Sequence, residues 1–143
     1  MNNAHILAKS FVDLGVKKVF GFSGATILPV FHAIDEVGIE IVVNANEQSC
    51  AFAAGGYSRS SDDVGVAVVT SGPAITNTLS AVADANADSI PLLVFAGQVA
   101  QGQIAVFGPS LEYLQQRFLD ADPGLGPLHQ FPFHALYLIC YLG

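Results

Sequence analysis

The side chain best suited to do chemistry is Glu47, in the stretch IEIVVNANEQSCAFAAGGY that runs from Ile39 to Tyr57. Ile39, Ile41, Val42 and Val43 are apolar and β-branched, which predicts a buried strand. Asn44-Ala45-Asn46 makes a short polar hinge, and the small residues from Glu47 to Ser58 predict a helix. Glu47 therefore falls where a strand gives way to a helix, with almost no other charge near it. A helix N-terminus favours the ionised carboxylate, whereas neighbours such as Cys50, Ala51 and Phe52 favour the protonated acid. A carboxyl group held between those influences is suited to share a proton with a ligand nitrogen, the basis of general acid–base catalysis. The commoner use of an acid in a first turn is to offset the helix dipole, and Glu47 taken alone leaves both readings open.

Glu47 belongs to one of three turns of the same make-up. Ser23-Gly24-Ala25, Asn44-Ala45-Asn46-Glu47 and Ser71-Gly72-Pro73-Ala74 each follow an apolar run, use small residues and open a helix. In an open α/β sheet, ligands lie beyond the carboxyl ends of the strands, where such turns gather. Every strand-to-helix turn needs small residues, so one such turn signals little; three with an embedded acid point to a ligand site. No phosphate fingerprint accompanies them. Gly21-Phe22-Ser23-Gly24 lacks the GxGxxG spacing, and GxxxxGK[ST] does not occur. Ser71-Gly72-Pro73 is not the G-x-S-x-G elbow of hydrolases. His5, His32, His129 and His134 are scattered without ligand spacing, so no metal site is expected. Tyr57 and Arg59 read as the end of the Glu47 helix, with Arg59 favourable near its C-terminus, and Asp120-Ala121-Asp122 as a solvated turn.

The elements that must position these residues follow from periodicity. Asn3 can cap a first helix with Ile6, Leu7, Phe11 and Leu14 on one face, which Gly15 ends. Val19 to Phe22 is a short strand. Pro29 stands in the first turn of a second helix carrying Val30, Phe31, Ala33, Ile34 and Val37, closed by Gly38. After the Glu47 helix, Ser60-Ser61-Asp62-Asp63 reads as a polar loop. Val64 to Thr70 is a continuous apolar strand of the kind parallel sheets bury on both faces. The next helix turns Ile75, Leu79, Val82 and Ala83 inward and breaks at Asp88-Ser89, and Ile90 to Ala96 is a fourth strand ending at Gly97-Gln98. This alternation predicts a doubly wound α/β fold as far as Gln98, a mainly parallel sheet with helices on both faces. After Gln103 the alternation stops. Leu111 to Leu119 has helical character, Asp122 to Pro127 breaks the chain, and the end, FPFHALYLICYLG, is apolar on all sides. The expected division is a domain over residues 1–103 and a divergent tail over residues 104–143.

Composition limits the partners. Of the 143 residues 52% are apolar and 12% charged, against about 25% charged in a typical soluble domain. So few charges cannot cover the surface in the usual way, which implies a surface buried against a partner or a piece of something larger. The net charge of −7, and no basic cluster beyond Lys17-Lys18, argue against nucleic acid or an anionic membrane. No apolar run reaches the ~18 residues needed to span a bilayer. Cys50 and Cys140 show no metal or redox spacing and are expected as buried free thiols. With no leader-like N-terminus, a cytoplasmic, reducing location is expected.

Taken in sequence, the blocks LGVKKVFGFSGATILPVFHAI, NEQSCAFAAGGYSR and VGVAVVTSGPAITNTLSAVADANADSIPLLVFAGQV resemble the N-terminal pyrimidine-binding domain of thiamine diphosphate enzymes, most of all acetolactate synthase. The resemblance runs from about Leu14 to Val99 and implies the thiamine diphosphate-binding fold. It also implies a catalytic role for Glu47. In the family the matching acid hydrogen-bonds N1′ of the aminopyrimidine, and the resulting tautomer removes the proton from the thiazolium C2. A 2-keto acid is then decarboxylated and its carbanion added to a second carbonyl, chemistry that belongs to the cofactor. By the same resemblance Gly24 and Ala25 line the reaction side, Pro73 and Asn77 lie near the pyrimidine, and Gln98 faces the substrate region.

The chain also departs from the family. It has Gly24-Ala25-Thr26 where Gly-Gly-Ala is usual, Ala74-Ile75 where Gly-Ala is usual, and Asn46 where His is usual. No GDG…N magnesium motif occurs, so Mg2+ and flavin are expected only with a complete family member. Family sites join a pyrimidine domain of one chain to a diphosphate domain of another. The implied partner is thus a diphosphate-domain-bearing chain or, by self-association, a second copy. The first expectation is a truncated, acetolactate synthase-like half-site inactive alone. The alternatives are the pyrimidine subunit of a two-chain 2-keto acid decarboxylase and a non-catalytic module that binds full-length relatives.

Overall fold

The computed structural model describes residues 3–98 and 135–140. Strand and helix alternate through helix α1 (Asn3–Asp13), strand β1 (Lys18–Phe22), α2 (Leu28–Glu36), β2 (Glu40–Val43), α3 (Glu47–Ser60), β3 (Gly65–Val69), α4 (Pro73–Ala87) and β4 (Leu92–Gly97). A fifth strand, β5 (Ala135–Cys140), comes from the apolar end of the chain. All neighbours pair in parallel, in the order β2-β1-β3-β4-β5. The doubly wound α/β architecture read from the sequence is therefore present, and part of the segment assigned to the tail runs beside β4. The helix expected at 111–119, the chain break after Asp122, His129 and His134 lie outside the described residues.

The pleat sorts alternate residues of each strand to opposite faces. Val66, Val68 and Phe95 face α1 and α2, where they meet Ala8, Phe11, Val30 and Ile34. Phe95 is fully buried and meets Phe11 edge to face, with ring centroids 6.2 Å apart. Ala67, Val69, Val94 and Ala96 face α3 and α4, where they meet Cys50, Ala51, Ala54 and Ile75. The β3 strand is buried along its whole length, as its unbroken apolar run requires.

Two helix faces differ from the sequence reading. On α1 the buried stripe is Ala4, Ala8 and Phe11, while Ile6 is 48% exposed and Leu14, just past the end of the helix, 77% exposed. On α4 it is Ala74, Ile75, Thr78, Ala81 and Ala85, with Leu79 44% exposed and Ala83 also outside. In both cases close approach favours small residues and leaves larger apolar side chains outward.

Three helices close in the same way. Val16 N–H donates to Phe11 O and Gly15 N–H to Val12 O, both at 2.9 Å, the paired bonds of a Schellman motif. Gly38 and Ile39 repeat the pattern on Asp35 and Ile34, and Ser89 and Ile90 on Asn86 and Ala85. The motif needs a left-handed residue, which is Gly15 at φ 77° and Gly38 at φ 78° but Ser89 at φ 57°. Ser89 is the only non-glycine with positive φ among the described residues. Ser89→Gly is therefore expected to raise stability by about 0.5–1 kcal/mol, read as an upward shift of the urea midpoint. A midpoint at or below that of the wild type would contradict the assignment of strain to this residue.

At the amino end of the sheet the polar loop 60–63 is tied down. Lys17 Nζ lies 2.9 and 3.1 Å from the two carboxylate oxygens of Asp63, and Tyr57 donates to Asp63 Oδ2 at 2.6 Å. Lys18 sits 5.4 Å above the Tyr57 ring. The bond from the Tyr57 hydroxyl, then that from Lys17, holds the Asp63 carboxyl below its usual range. The same contacts with Asp63 push Tyr57 and Lys17 up. A depressed folded-state carboxyl contributes its stabilisation above the unfolded value and loses it as pH falls through the folded one. The stability difference between wild type and Asp63→Asn is thus expected to be full at neutral pH and to shrink below about pH 4. A difference unchanged down to the acid limit of folding, measured by urea titration, would refute this linkage.

Candidate functional site

Because every strand pair is parallel, the turns after β1, β2, β3 and β4 leave from one edge of the sheet. That edge gathers Gly24, Ala25, Glu47, Pro73 and Gln98, with Asn77 one turn into α4. At β1 the chain turns to α2 on one face, whereas at β3 it turns to α4 on the other. The boundary between β1 and β3 is thus the switch point of the fold, where open α/β sheets bind ligands.

Glu47 is the first residue of α3. Asn46, with extended backbone, caps that helix by accepting from Ser49 N–H at 2.8 Å, and Asn44 Nδ2 donates to Ser49 O at 3.2 Å. These bonds fix where α3 begins and hence where the carboxylate projects. Glu47 reaches across to α4, where Asn77 Nδ2 donates to its Oε2 at 3.0 Å. One residue on, Gln48 Nε2 donates to Ser80 Oγ at 3.0 Å. The far ends of the same helices are joined by Arg59, whose guanidinium meets Asp88 at 2.7 Å and Asp84 at 2.9 Å. Arg59 thus does more than end its helix: it clamps α3 to α4.

Glu47 is half-buried at the rim of the edge, not sealed in the dry junction its sequence neighbours suggested. Among the described residues Asn77 is its one hydrogen-bond donor, which leaves Oε1 available to a ligand N–H. Gly24 and Gln98 are half-buried, and Ala25, Pro73 and Asn77 are exposed. Cys50, one turn inside α3, is fully buried, and burial pushes its thiol up, which keeps it protonated. Among the described residues no group of His, Cys, Asp and Glu is arranged to hold a metal ion, and no helix is long and apolar enough to cross a membrane.

Two residues at this edge escaped the sequence reading as site residues. Thr26 Oγ1 and Thr70 Oγ1 lie 2.8 Å apart, bridging the turn after β1 to the end of β3. Their separation of 44 residues hides the pair, although Thr26 is one of the departures noted above.

Parallel strands diverging at a switch point, beside a rim carboxylate held at a helix start, define a doubly wound α/β ligand-binding domain. The chain belongs to the family of thiamine pyrophosphate enzyme N-terminal TPP binding domains, whose model matches residues 1–122. It is 42% identical over 105 residues to the acetolactate synthase isozyme 3 large subunit of Escherichia coli (strain K12), covering 73% of this chain and 18% of that protein. It is 43% identical over 99 residues to the acetolactate synthase large subunit of Lactococcus lactis, covering 68% of this chain and 17% of the relative. The mitochondrial acetolactate synthase of Schizosaccharomyces pombe is 49% identical over 90 residues, 62% of this chain and 14% of the relative. The chain thus spans less than a fifth of the length of these relatives.

Proposed function

We propose that this chain supplies the aminopyrimidine half of a thiamine diphosphate site in an acetolactate synthase-like enzyme acting on 2-keto acids. The observation that carries the reading is the Glu47 carboxylate, with Oε2 held by Asn77 and Oε1 open at the sheet edge where open α/β folds bind ligands. The donor set fits the group. A carboxylate is the acceptor an aminopyrimidine ring nitrogen needs when protonated, and the small, exposed Ala25 leaves room for a flat ring beside it. When bound, thiamine diphosphate supplies the carbanion chemistry that the side chains lack. Glu47 holds and returns a proton at its free oxygen, Asn77 and the Asn46 cap fix its direction, and Gly24, Ala25 and Pro73 border the ring. Gln98 faces the substrate.

The diphosphate and its metal fall to residues other than these 143, on a partner that also covers the rim. Without it these residues bind the cofactor weakly and do not turn over substrate, and flavin, like Mg2+, enters only in the complete assembly. The exposed Phe52 and Leu79 on α3 and α4 favour a second reading, a non-catalytic module that docks on full-length relatives. The decisive experiment exchanges the matching segment of the Escherichia coli isozyme 3 large subunit for this one. Acetolactate formation dependent on thiamine diphosphate supports the half-site. A chimera that folds and assembles yet binds no thiamine diphosphate in a calorimetric titration refutes it.

A further inference from the structure

We infer that Thr26 and Thr70 form a positioning clip that sets the shape of the Gly24–Ala25 turn and closes the switch-point crevice beneath it. The two hydroxyls are 2.8 Å apart and part-buried, so one donates to the other in place of a water. Each side chain also sits on a glycine at or just past the end of a neighbouring strand. A Cβ on Gly24 would lie 2.6 Å from Thr70 Cβ and Oγ1, and one on Gly97 would lie 2.8 Å from Thr26 Oγ1. The ends of β1, β3 and β4 are therefore interlocked, glycine against threonine twice, with the hydroxyl bond between the two contacts. Neither glycine position tolerates a larger residue without moving a β-branched side chain, which is stiff at χ1.

A ligand in the crevice outside the carboxyl ends of β1 and β3 meets the two threonines at its base. It must lie above the clip, over Gly24 and Ala25 and on the side of Glu47. Insofar as that ligand is an aminopyrimidine, the inference rests on the proposed function; the clip itself does not.

The turn carries its own reporters. Ile27 and Leu28 N–H both donate to Gly24 O at 3.1 Å, so their hydrogen exchange reads the shape of the turn. Thr26→Val keeps the volume and removes the hydroxyl, whereas Thr26→Ser keeps the hydroxyl and removes the methyl. Exchange at Ile27 and Leu28 is expected to quicken about five- to tenfold in Thr26→Val, to remain near wild type in Thr26→Ser, and to stay unchanged at Val68 and Val94 in both. Equal acceleration at Val68 and Val94, no change at Ile27 and Leu28, or a serine variant that behaves like valine would each overturn the clip. Failure of the chimera to bind thiamine diphosphate, with the exchange pattern as expected, would instead sink the proposed function and leave the clip standing.

Discussion

In the active chimera, Glu47→Gln is expected to lower acetolactate formation by about two to four orders of magnitude, the range attached to losing a general acid–base group. The change is nearly isosteric. Glutamine retains an oxygen to accept from Asn77, which donates to Glu47 at 3.0 Å, so the link between α3 and α4 survives. What is lost is the capacity to hold and return a proton at the second oxygen. The variant should assemble as the parent does in size-exclusion chromatography, because Glu47 contributes little apolar contact area at the rim. A drop of tenfold or less would show that Glu47 serves chiefly to offset the helix dipole. Loss of assembly without loss of fold would show that the carboxylate belongs to the subunit contact, which neither the half-site nor the docking-module reading predicts.

How far such a site can be read before the fold is seen depends on whether its parts are local. The strands were legible from apolar runs such as Val66 to Val69, but the burial expected of Ile39 to Val43 was not met, because β2 is an edge strand with Val43 67% exposed. The place of Glu47 at the start of α3 was legible because a strand-to-helix junction is a local event, capped here by Asn46 three residues from its partner Ser49. The helix faces differ because periodicity favours the larger apolar side chains, whereas packing here favours the smaller ones. Where helix meets helix closely, α1 against α2 and α4 against α3, small residues such as Ala4, Ala8, Ala81 and Ala85 fit, and Ile6 and Leu79 are displaced outward. The contacts that orient the site join residues 30 and 44 positions apart, Asn77 to Glu47 and Thr26 to Thr70, so only the folded sheet edge brings them together. The burial of Glu47 belongs to the same class. Of its apolar neighbours, Cys50 and Ala51 turn toward the sheet, while Phe52 and the carboxylate face outward.

Close approach of α3 to the sheet gives the largest expected effect on stability, at the amino end of β3. A Cβ on Gly65 would run into the main-chain carbonyl of Ala54, a fully buried residue in the middle of α3. A backbone obstacle cannot swing aside as a side chain can, so Gly65→Ala must either lift α3 from the sheet or shift β3 in its ladder with β4. Either movement strips contacts from Cys50, Ala51 and Ala54, and the expected cost is about 3 kcal/mol, the upper part of the range for overpacking. Gly56, on the exposed side of the same helix, is the control, since a Cβ there meets nothing within 4 Å. Gly56→Ala should gain about 0.5–1 kcal/mol from helix propensity alone. Urea titrations of the two variants separate contact from propensity. A Gly65→Ala protein within about 0.5 kcal/mol of wild type, the spread of ordinary surface changes, would mean that α3 is not seated on β3 as described. The effect bears on function because α3 starts at Glu47 and is clamped to α4 at both ends, so a helix lifted at Ala54 displaces the carboxylate it carries.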